Sequence, residues 1–225
     1  MPMSKKNFYI LISCAIFYII FFQIRAYALS DDISAVTKQQ ENKTVKILLK
    51  DFPVIKQKKP YSCGLATITM IYSFLAEASS EETVTRKLGL EHRKSGMTPL
   101  FFSENLQSLL KDYQVTYFSN IKDSQVIKKI LHSLDNQMPV GINFSTINAF
   151  EKQSTDTHLS AIIGYDLKKH TFIIANAYGF IEEIKISSLL KMLKYKNHKD
   201  SPFLFDLAIL LNIIGKNNII IIEPL

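Results

Sequence analysis

Four residues of this 225-residue chain have the types and the order needed for attack by a thiol on a carbonyl carbon. They are Gln57, Cys63, His158 and Asn176. A thiol attacks well only as the thiolate, and it needs a base to take its proton and a group to orient that base. The pattern predicts nucleophilic catalysis by Cys63, with His158 as the proton carrier and Asn176 as the orienting amide.

The segment before Cys63 predicts that the thiol lies at the N-terminus of a helix. Pro60 breaks any preceding structure, and Ser62 is a residue type that caps helices. The apolar residues that then recur at three- and four-residue spacing are Leu65, Ile68, Ile71 and Leu75. Because the helix dipole and the first-turn N–H groups would face the sulfur, this placement favours the thiolate. The alternative interpretation is a buried, inert cysteine.

The N-terminal segment predicts export. Residues 1–6 are basic, residues 8–24 are almost wholly apolar, and residues 26–28 form a small-x-small cleavage site. The first of the two cysteines, Cys14, lies in the apolar stretch, so cleavage would leave Cys63 as the single thiol. An exported protein with one cysteine forms no internal disulfide, which excludes a role for Cys63 as a structural cross-link.

We predict a signal peptide over residues 1–28, with two alternatives. Residues 8–24 reach the short end of the length that spans a bilayer, so they could form an uncleaved anchor. Residues 11–14 loosely match a lipoprotein cleavage site, but the residues after Cys14 stay apolar where a polar segment is expected. Cleavage and anchoring both place the catalytic part outside the cytoplasm, in the periplasm or secreted.

Composition indicates one folded domain without a nucleic-acid partner. Residues 29–44 are polar and lack periodicity, which is typical of a flexible tether. Residues 45–225 suit a single domain with a full core, and we expect a monomer. The formal charge of +7 falls to +4 without residues 1–28, and the lysines are scattered. This balance does not suggest nucleic-acid binding, and only an uncleaved N-terminal segment would contact a membrane.

The first half of the domain is predicted to be mainly helical and the second half mainly β. After the cysteine helix, helices are expected at 80–88, 98–111 and 123–134, with short strands at 45–49 and 114–118. The second half contains β-rich runs at 139–144, 159–165, 171–176 and 180–186, followed by a helix at 187–194. The expected fold class is α+β, with helices packed against an antiparallel sheet and a cleft between the two parts.

The apolar C-terminal residues have two interpretations. Residues 203–222 could form a membrane-spanning tail, or they could be buried in the core with a strand at 219–222. The polar or flexible residues that interrupt the run are Asp206, Asn212, Gly215 and Lys216. These interruptions favour burial in the core.

His158 and Asn176 are brought together by neighbouring predicted strands. His158 begins one strand and Asn176 ends the next, and antiparallel neighbours place those two ends side by side. The remaining histidines, which lie in polar stretches, in a helix or at turns, are His92, His132, His170 and His198. No pair among the histidines, acids and Cys63 has metal-ligand spacing, and no glycine-rich phosphate loop occurs, so neither a metal nor a cofactor is expected.

These motifs resemble the bacteriocin-processing (double-glycine) cysteine peptidase family of the papain-like superfamily. The resemblance covers about residues 54–190 and rests on five short segments that occur in the same order as in the family. They are Gln57 with Ser62 to Ala66, Gly96 to Thr98, Pro139-Val140, His158 with Gly164 to Asp166, and Asn176-Ala177 with Gly179. It implies a papain-like fold. Because the N-terminal segment predicts export, we expect an exported, stand-alone member, and the leader-peptide substrates of transporter-borne members cannot be carried over to it. The family has Asp where this chain has Asn176, so a different pH dependence is expected. It often has Gly where this chain has Thr157, which predicts a tighter mouth of the site.

The resulting prediction is an exported papain-like cysteine peptidase that hydrolyses a peptide or amide bond of a peptide or protein through a thioester on Cys63. Gln57, six residues before Cys63, is expected to donate its side-chain amide to the oxyanion. It could instead be an ordinary exposed glutamine. Two other functions stay open: an acyl- or peptidyl-transferase of the same superfamily, and a catalytically silent peptide-binding or assembly module of the cell envelope.

Overall fold

The computed structural model of the chain describes residues 45–147, 155–195, 207 and 215–225. The predicted signal peptide at 1–28, the predicted tether at 29–44, His198 and most of the apolar residues 203–214 lie outside the described residues. No described helix combines the length and the apolar character that crossing a bilayer requires.

The described residues form helices and strands at nearly all of the predicted places. The helices are α1 (Cys63–Leu75), α2 (Glu81–Lys87), α3 (Pro99–Leu109), α4 (Asp123–Asp135) and α5 (Ile186–Met192). The strands are β1 (Lys46–Leu48), β2 (Tyr113–Phe118), β3 (Val140–Ile147), β4 (Thr155–Asp166), β5 (Thr171–Asn176), β6 (Phe180–Lys185) and β7 (Ile219–Pro224).

The described strands form one seven-stranded sheet in the order β2-β7-β3-β4-β5-β6, with β1 paired to the end of β4. All of these pairings are antiparallel. Helix α1 packs on β4, and α4 packs on β7 and β4. The predicted α+β class, with the cysteine on a helix and the histidine and asparagine on an antiparallel sheet, is confirmed.

The expected division into a helical first half and a sheet-forming second half is incomplete. Strands β1 and β2 come from the first half, yet both belong to the common sheet. The C-terminal strand β7 lies between β2 and β3, and residues Ile219–Ile222 are buried. The predicted burial of residues 219–222 in the core is therefore confirmed.

Helix α1 is buried on almost every side. Every residue from Cys63 to Tyr72 is buried, which is typical of a helix that crosses the core. This explains why the helix is apolar all round rather than on one face only. A helix held on several sides keeps its first turn, and therefore Cys63, in a fixed position.

Strand β4 is longer than predicted, so His158 lies inside the strand and not at its entrance. The ladder with β3 continues through Phe144 opposite His158 and Ser145 opposite Thr157. The prediction of a start at 159 was wrong because it followed apolar residues. Polar, β-branched threonines extend a strand through backbone hydrogen bonds alone.

Candidate active site

Cys63 is the first residue of α1, as predicted, and its side chain is buried. The Oγ1 hydroxyl of Thr67 lies 2.8 Å from the Cys63 carbonyl oxygen and 3.0 Å from the Leu159 carbonyl oxygen. One hydroxyl therefore bridges the first turn of α1 and the strand β4. Because Leu159 follows His158 directly, this contact holds the nucleophile's turn beside the histidine's strand.

Ser62 occupies the N-cap position of α1, but its side chain does not cap the helix. Its Oγ accepts from the Lys59 N–H at 3.0 Å and donates to the Lys59 carbonyl at 3.2 Å. The expected capping by Ser62 is thus wrong. The hydroxyl folds back on the preceding turn, so it does not cap the N–H groups of the first helical turn.

His158 forms a hydrogen bond with Asn176 between Nε2 and Oδ1, at 2.9 Å. An amide oxygen only accepts, so Nε2 carries the proton in this arrangement. The other ring nitrogen, Nδ1, is then the basic one in the neutral imidazole. The two residues that the sequence placed on neighbouring strands are in contact.

The surroundings of His158 favour the neutral imidazole. The ring stacks on Tyr178 with centroids 4.0 Å apart, and Phe144 approaches it edge-on at 5.9 Å. His158 is 2% exposed. Burial lowers its pKa to about 4, and the hydrogen bond to Asn176 opposes that shift only in part. The imidazole is therefore neutral near neutral pH, and Nδ1 has a free lone pair.

Asn176 is fixed by the tight turn that joins β5 to β6. The Gly179 N–H donates to the Asn176 carbonyl at 2.8 Å, and the Tyr178 N–H donates to its Oδ1 at 2.9 Å. Gly179 has φ +94°, and a Cβ there would lie 2.7 Å from the Lys56 Cβ. Both the backbone conformation and the space therefore require glycine in this turn.

Gln57 is 2% exposed, so the interpretation as an ordinary exposed glutamine is wrong. Its backbone N–H donates to the Ala177 carbonyl at 2.7 Å, which links it to the turn after Asn176. Its side-chain Nε2 donates to the carbonyls of Lys59 and Pro60, at 2.8 and 3.0 Å.

The amide of Gln57 therefore supports the loop that leads to Cys63. Both hydrogens of Nε2 are directed to loop carbonyls, and Oε1 has no hydrogen-bond partner among the described residues. One of these hydrogens would have to leave its carbonyl before it could bind an oxyanion. The role of Gln57 as an oxyanion donor stays a prediction.

Glu182 is a site residue that sequence reasoning missed. Its Oε1 accepts from the Asn176 Nδ2 at 2.5 Å. The sequence contained one indication of this contact. In the predicted hairpin of β5 and β6, Phe180 faces Asn176, and Glu182 lies two residues further on. That signal identifies a neighbour but not the direction of an amide, so it was too weak to assign a contact.

The segment around Met97 covers the start of α1. A Cβ on Gly64 would lie 2.8 Å from the Met97 Sδ and 3.0 Å from its Cβ. The Gly96-Met97-Thr98 motif of the sequence therefore lies against the residue after the nucleophile. Thr98 also caps α3 by accepting from the Phe101 N–H at 3.2 Å, which agrees with the helix predicted to begin at residue 98.

A cavity of about 470 Å³ opens beside the start of α1. It is lined by Lys58, Lys59, Tyr61, Ser62, Leu65, Glu81, Glu82, Thr85, Arg86, Leu90, Glu91 and Arg93. Ser62 and Leu65 lie on either side of Cys63 in the sequence, so the cavity adjoins the nucleophile's turn.

The other described histidines lie away from this arrangement. His92, His132 and His170 are exposed, and His170 lies in a turn with φ +54°. In the part of the chain that the structure describes, no group of three or more histidine, cysteine or acidic residues is placed to hold a metal ion.

The chain belongs to the Peptidase_C39 like family, whose model matches residues 49–198. This confirms the resemblance to the double-glycine cysteine peptidases. No curated protein matches the chain.

Three solved structures are similar to this one at low identity. The peptidase domain of Streptococcus ComA, a bifunctional ABC transporter involved in a quorum-sensing pathway, has 13% identity and a TM-score of 0.48 over 77% of this chain and 99% of that one. A double-glycine-motif protease from an AMS/PCAT transporter, in complex with the leader peptide, has 12% identity and a TM-score of 0.48 over 81% and 100%. Xylellain, a cysteine protease from Xylella fastidiosa, has 11% identity and a TM-score of 0.48 over 81% and 87%. The family assignment rests on the family match alone.

Proposed function

We propose that the chain is a cysteine peptidase that hydrolyses a peptide bond through a thioester on Cys63. The observation that carries the proposal is the 2.9 Å bond between His158 Nε2 and Asn176 Oδ1, formed beside the helix that begins at Cys63. Membership of a peptidase-like family supports the same class.

The reaction begins with transfer of the Cys63 proton to His158 Nδ1. The sulfur then bonds to the substrate carbonyl carbon, and the carbonyl π electrons move to oxygen. The N–H groups at the start of α1 and their dipole stabilise this oxyanion. When the tetrahedral intermediate collapses, the C–N bond breaks and Nδ1–H gives its proton to the leaving amine. A thioester on Cys63 remains.

Hydrolysis of the thioester repeats these steps with water. His158 Nδ1 takes a proton from water as the oxygen attacks, and the C–S bond then breaks to release the acid and restore the thiol. Throughout, Asn176 holds the ring by accepting from Nε2. The cavity beside Ser62 and Leu65 offers room for a substrate side chain, which suits a peptide or protein substrate.

Covalent labelling tests the nucleophile. An epoxide of the E-64 class should modify wild-type protein once, on Cys63, and mass spectrometry of the digested protein should locate the adduct. Cys63→Ser is the matched control and should remain unmodified. Wild-type protein that is folded and yet unlabelled under the same conditions would refute the assignment.

A second experiment on the wild-type protein shows whether water or another nucleophile takes the acyl group from Cys63. Peptide cleaved in ¹⁸O water should carry the heavy oxygen in its new carboxyl group. A product that carries an added amine or thiol in place of the heavy oxygen would show a transferase.

We also propose that the protein is exported, with a signal peptide at 1–28, a tether at 29–44 and the peptidase domain at 45–225. The apolar residues 8–24 and the small residues 26–28 support this division. A reporter active only outside the cytoplasm, fused at Asp31, should be active, and the mature N-terminus should be Leu29. Full-length protein in the membrane would indicate an anchor instead, and full-length protein in the cytosol would reject export.

A further inference from the structure

Glu182 extends the hydrogen-bonded chain of the site by one carboxylate. It lies on β6, two residues beyond Phe180, which pairs directly with Asn176. Side chains at such positions project from the same face of the sheet. Glu182 is half-buried and its Oε1 lies 2.5 Å from Asn176 Nδ2. A hydrogen bond to a partly buried carboxylate is stronger than one between two neutral groups.

The carboxylate of Glu182 accepts a hydrogen bond from Asn176 and is not neutralised by a described basic side chain. Among the described residues, Glu182 forms no ion pair with a lysine or an arginine. The next residue, Glu183, points to the other face, is exposed and pairs with Lys169 at 3.1 Å. Two adjacent glutamates therefore have different surroundings, and only Glu182 reaches the site.

Two fixed neighbours determine how the Asn176 amide is turned. The Tyr178 N–H can only donate, and it donates to Oδ1. The Glu182 carboxylate accepts, and it accepts from Nδ2. Reversing the amide would set its NH₂ group against the Tyr178 N–H and its oxygen against the carboxylate. His158 Nε2 therefore faces an oxygen.

We propose that Glu182 is a positioning residue that fixes the Asn176 amide and, through it, the Nε2–H form of His158. The inference rests on the proposed function, because this form leaves Nδ1 as the atom that takes the Cys63 proton. A carboxylate that accepts from one end of an amide also increases the negative charge on the oxygen at the other end. Glu182 thus stabilises the imidazolium that forms when the thiol proton moves.

The first test is the rate at which iodoacetamide alkylates Cys63 at about pH 6. Glu182→Gln keeps the size of the side chain but removes its charge and its strict preference to accept. We expect alkylation to slow about tenfold, the effect of one pKa unit on the thiolate fraction. Glu183→Gln, the matched control on the opposite face, should alkylate at the wild-type rate. Equal rates for wild type and folded Glu182→Gln would overturn the inference.

A rescue experiment separates positioning from a general structural role. Asn176→Asp sets a second carboxylate against Glu182, so alkylation should slow at least about tenfold. Combining Asn176→Asp with Glu182→Gln reverses the roles of the two side chains. The new amide at position 182 donates to the new carboxylate at position 176, and that carboxylate accepts from His158 Nε2. The combined variant should recover to within about threefold of wild type. If Asn176→Asp alone is as fast as the combined variant, the side chain at position 182 does not act on His158 through position 176, and the inference fails.

The protonated nitrogen of His158 is measurable without any activity. In Cys63→Ala, ¹⁵N NMR of the imidazole should show the Nε2–H form, and adding Glu182→Leu should produce a mixture of both forms. The same single form in both proteins would reject the role of Glu182. Wild-type Cys63 that alkylates as an ordinary thiol would instead reject the proposed function, so the two failures are distinguishable.

Discussion

The protonation of His158 determines when Cys63 has a base beside it, and it also links the site to the stability of the fold. Burial lowers the pKa of His158 to about 4 in the folded chain, whereas an unfolded histidine has a pKa of about 6.5. Between these values the unfolded state binds the proton and the folded state does not. The stabilisation is therefore complete above about pH 6.5 and is lost as the pH falls toward 4.

We expect this loss to reach about 3 kcal/mol of unfolding free energy. The measurement is urea unfolding between pH 7 and pH 4 in the Cys63→Ala background, where no thiolate perturbs the histidine. Adding His158→Gln should flatten the dependence on pH, whereas His170→Gln, an exposed control, should leave it unchanged. A dependence on pH that is identical with and without His158 would contradict the buried, neutral imidazole.

Gln57 combines a role in the loop with its predicted role at the oxyanion. Gln57→Ala removes the donor to two loop carbonyls, which should cost about 1–3 kcal/mol of stability. If the amide also reaches the oxyanion during the reaction, kcat should fall by about 10²–10³-fold while Cys63 still alkylates. Thermal unfolding, peptide hydrolysis and alkylation give the three values. The exposed Gln114→Ala serves as the control.

If Gln57→Ala loses both stability and the alkylation of Cys63, the amide supports only the loop, because loss of an oxyanion donor alone would leave the thiol reactive. A Gln57→Ala protein with wild-type stability and activity would show that neither role is correct.

At the scale of elements, the packing of Met97 on Gly64 links the covering segment to the nucleophile's helix. Gly64→Ala would place a methyl group 2.8 Å from the Met97 Sδ, so the segment must move. We expect a destabilisation of about 1–3 kcal/mol and slower alkylation of Cys63. Met97→Ala combined with Gly64→Ala should recover part of this loss, because it removes the Met97 Sδ, the atom nearest to the added methyl group, and leaves only the Cβ at 3.0 Å. Strictly additive effects in a double-mutant cycle would contradict the contact.

The sequence predicted most elements because their apolar spacing is local. The run from Leu65 to Leu75 has the helical period, and β5 and β6 are separated by a turn that contains Gly179. The pairing of His158 with Asn176 was also predictable, since consecutive antiparallel strands bring those ends together. Ser62 was assigned the wrong hydrogen bonds because residue type gives the capacity to bond but not the partner. The contact of Glu182 with Asn176 likewise depends on rotamers that no local pattern specifies.

At the scale of the whole molecule, the sheet order was not predictable from local patterns. Strand β7 lies at the C-terminal end of the chain but in the interior of the sheet, where it pairs with β2 over residues Tyr113–Phe118. Its apolar residues predicted burial, yet its neighbours β2 and β3 are strands that lie far away in the sequence. Such long-range choices depend on how the complete sheet buries its faces.

The interior position of β7 predicts that the chain cannot fold without it. Truncation before Ile219 should remove the cooperative thermal transition, because β2 and β3 would lose their common neighbour. Removal of Leu225 alone, which is 84% exposed, should leave the transition nearly unchanged. Circular dichroism melts give both results. A truncated protein that melts cooperatively at the wild-type temperature would contradict this topology.

The most direct test of the central claim is the appearance of new N-termini in a proteome-derived peptide library incubated with the full chain. Mass spectrometry should detect cleavage products with the wild-type protein, and neither Cys63→Ala nor His158→Ala should produce them, because nucleophile and proton carrier act as a unit. Glu183→Gln should cleave as the wild type does. The absence of products beyond the Cys63→Ala background, or undiminished cleavage by Cys63→Ala, would contradict a cysteine peptidase built on Cys63, His158 and Asn176.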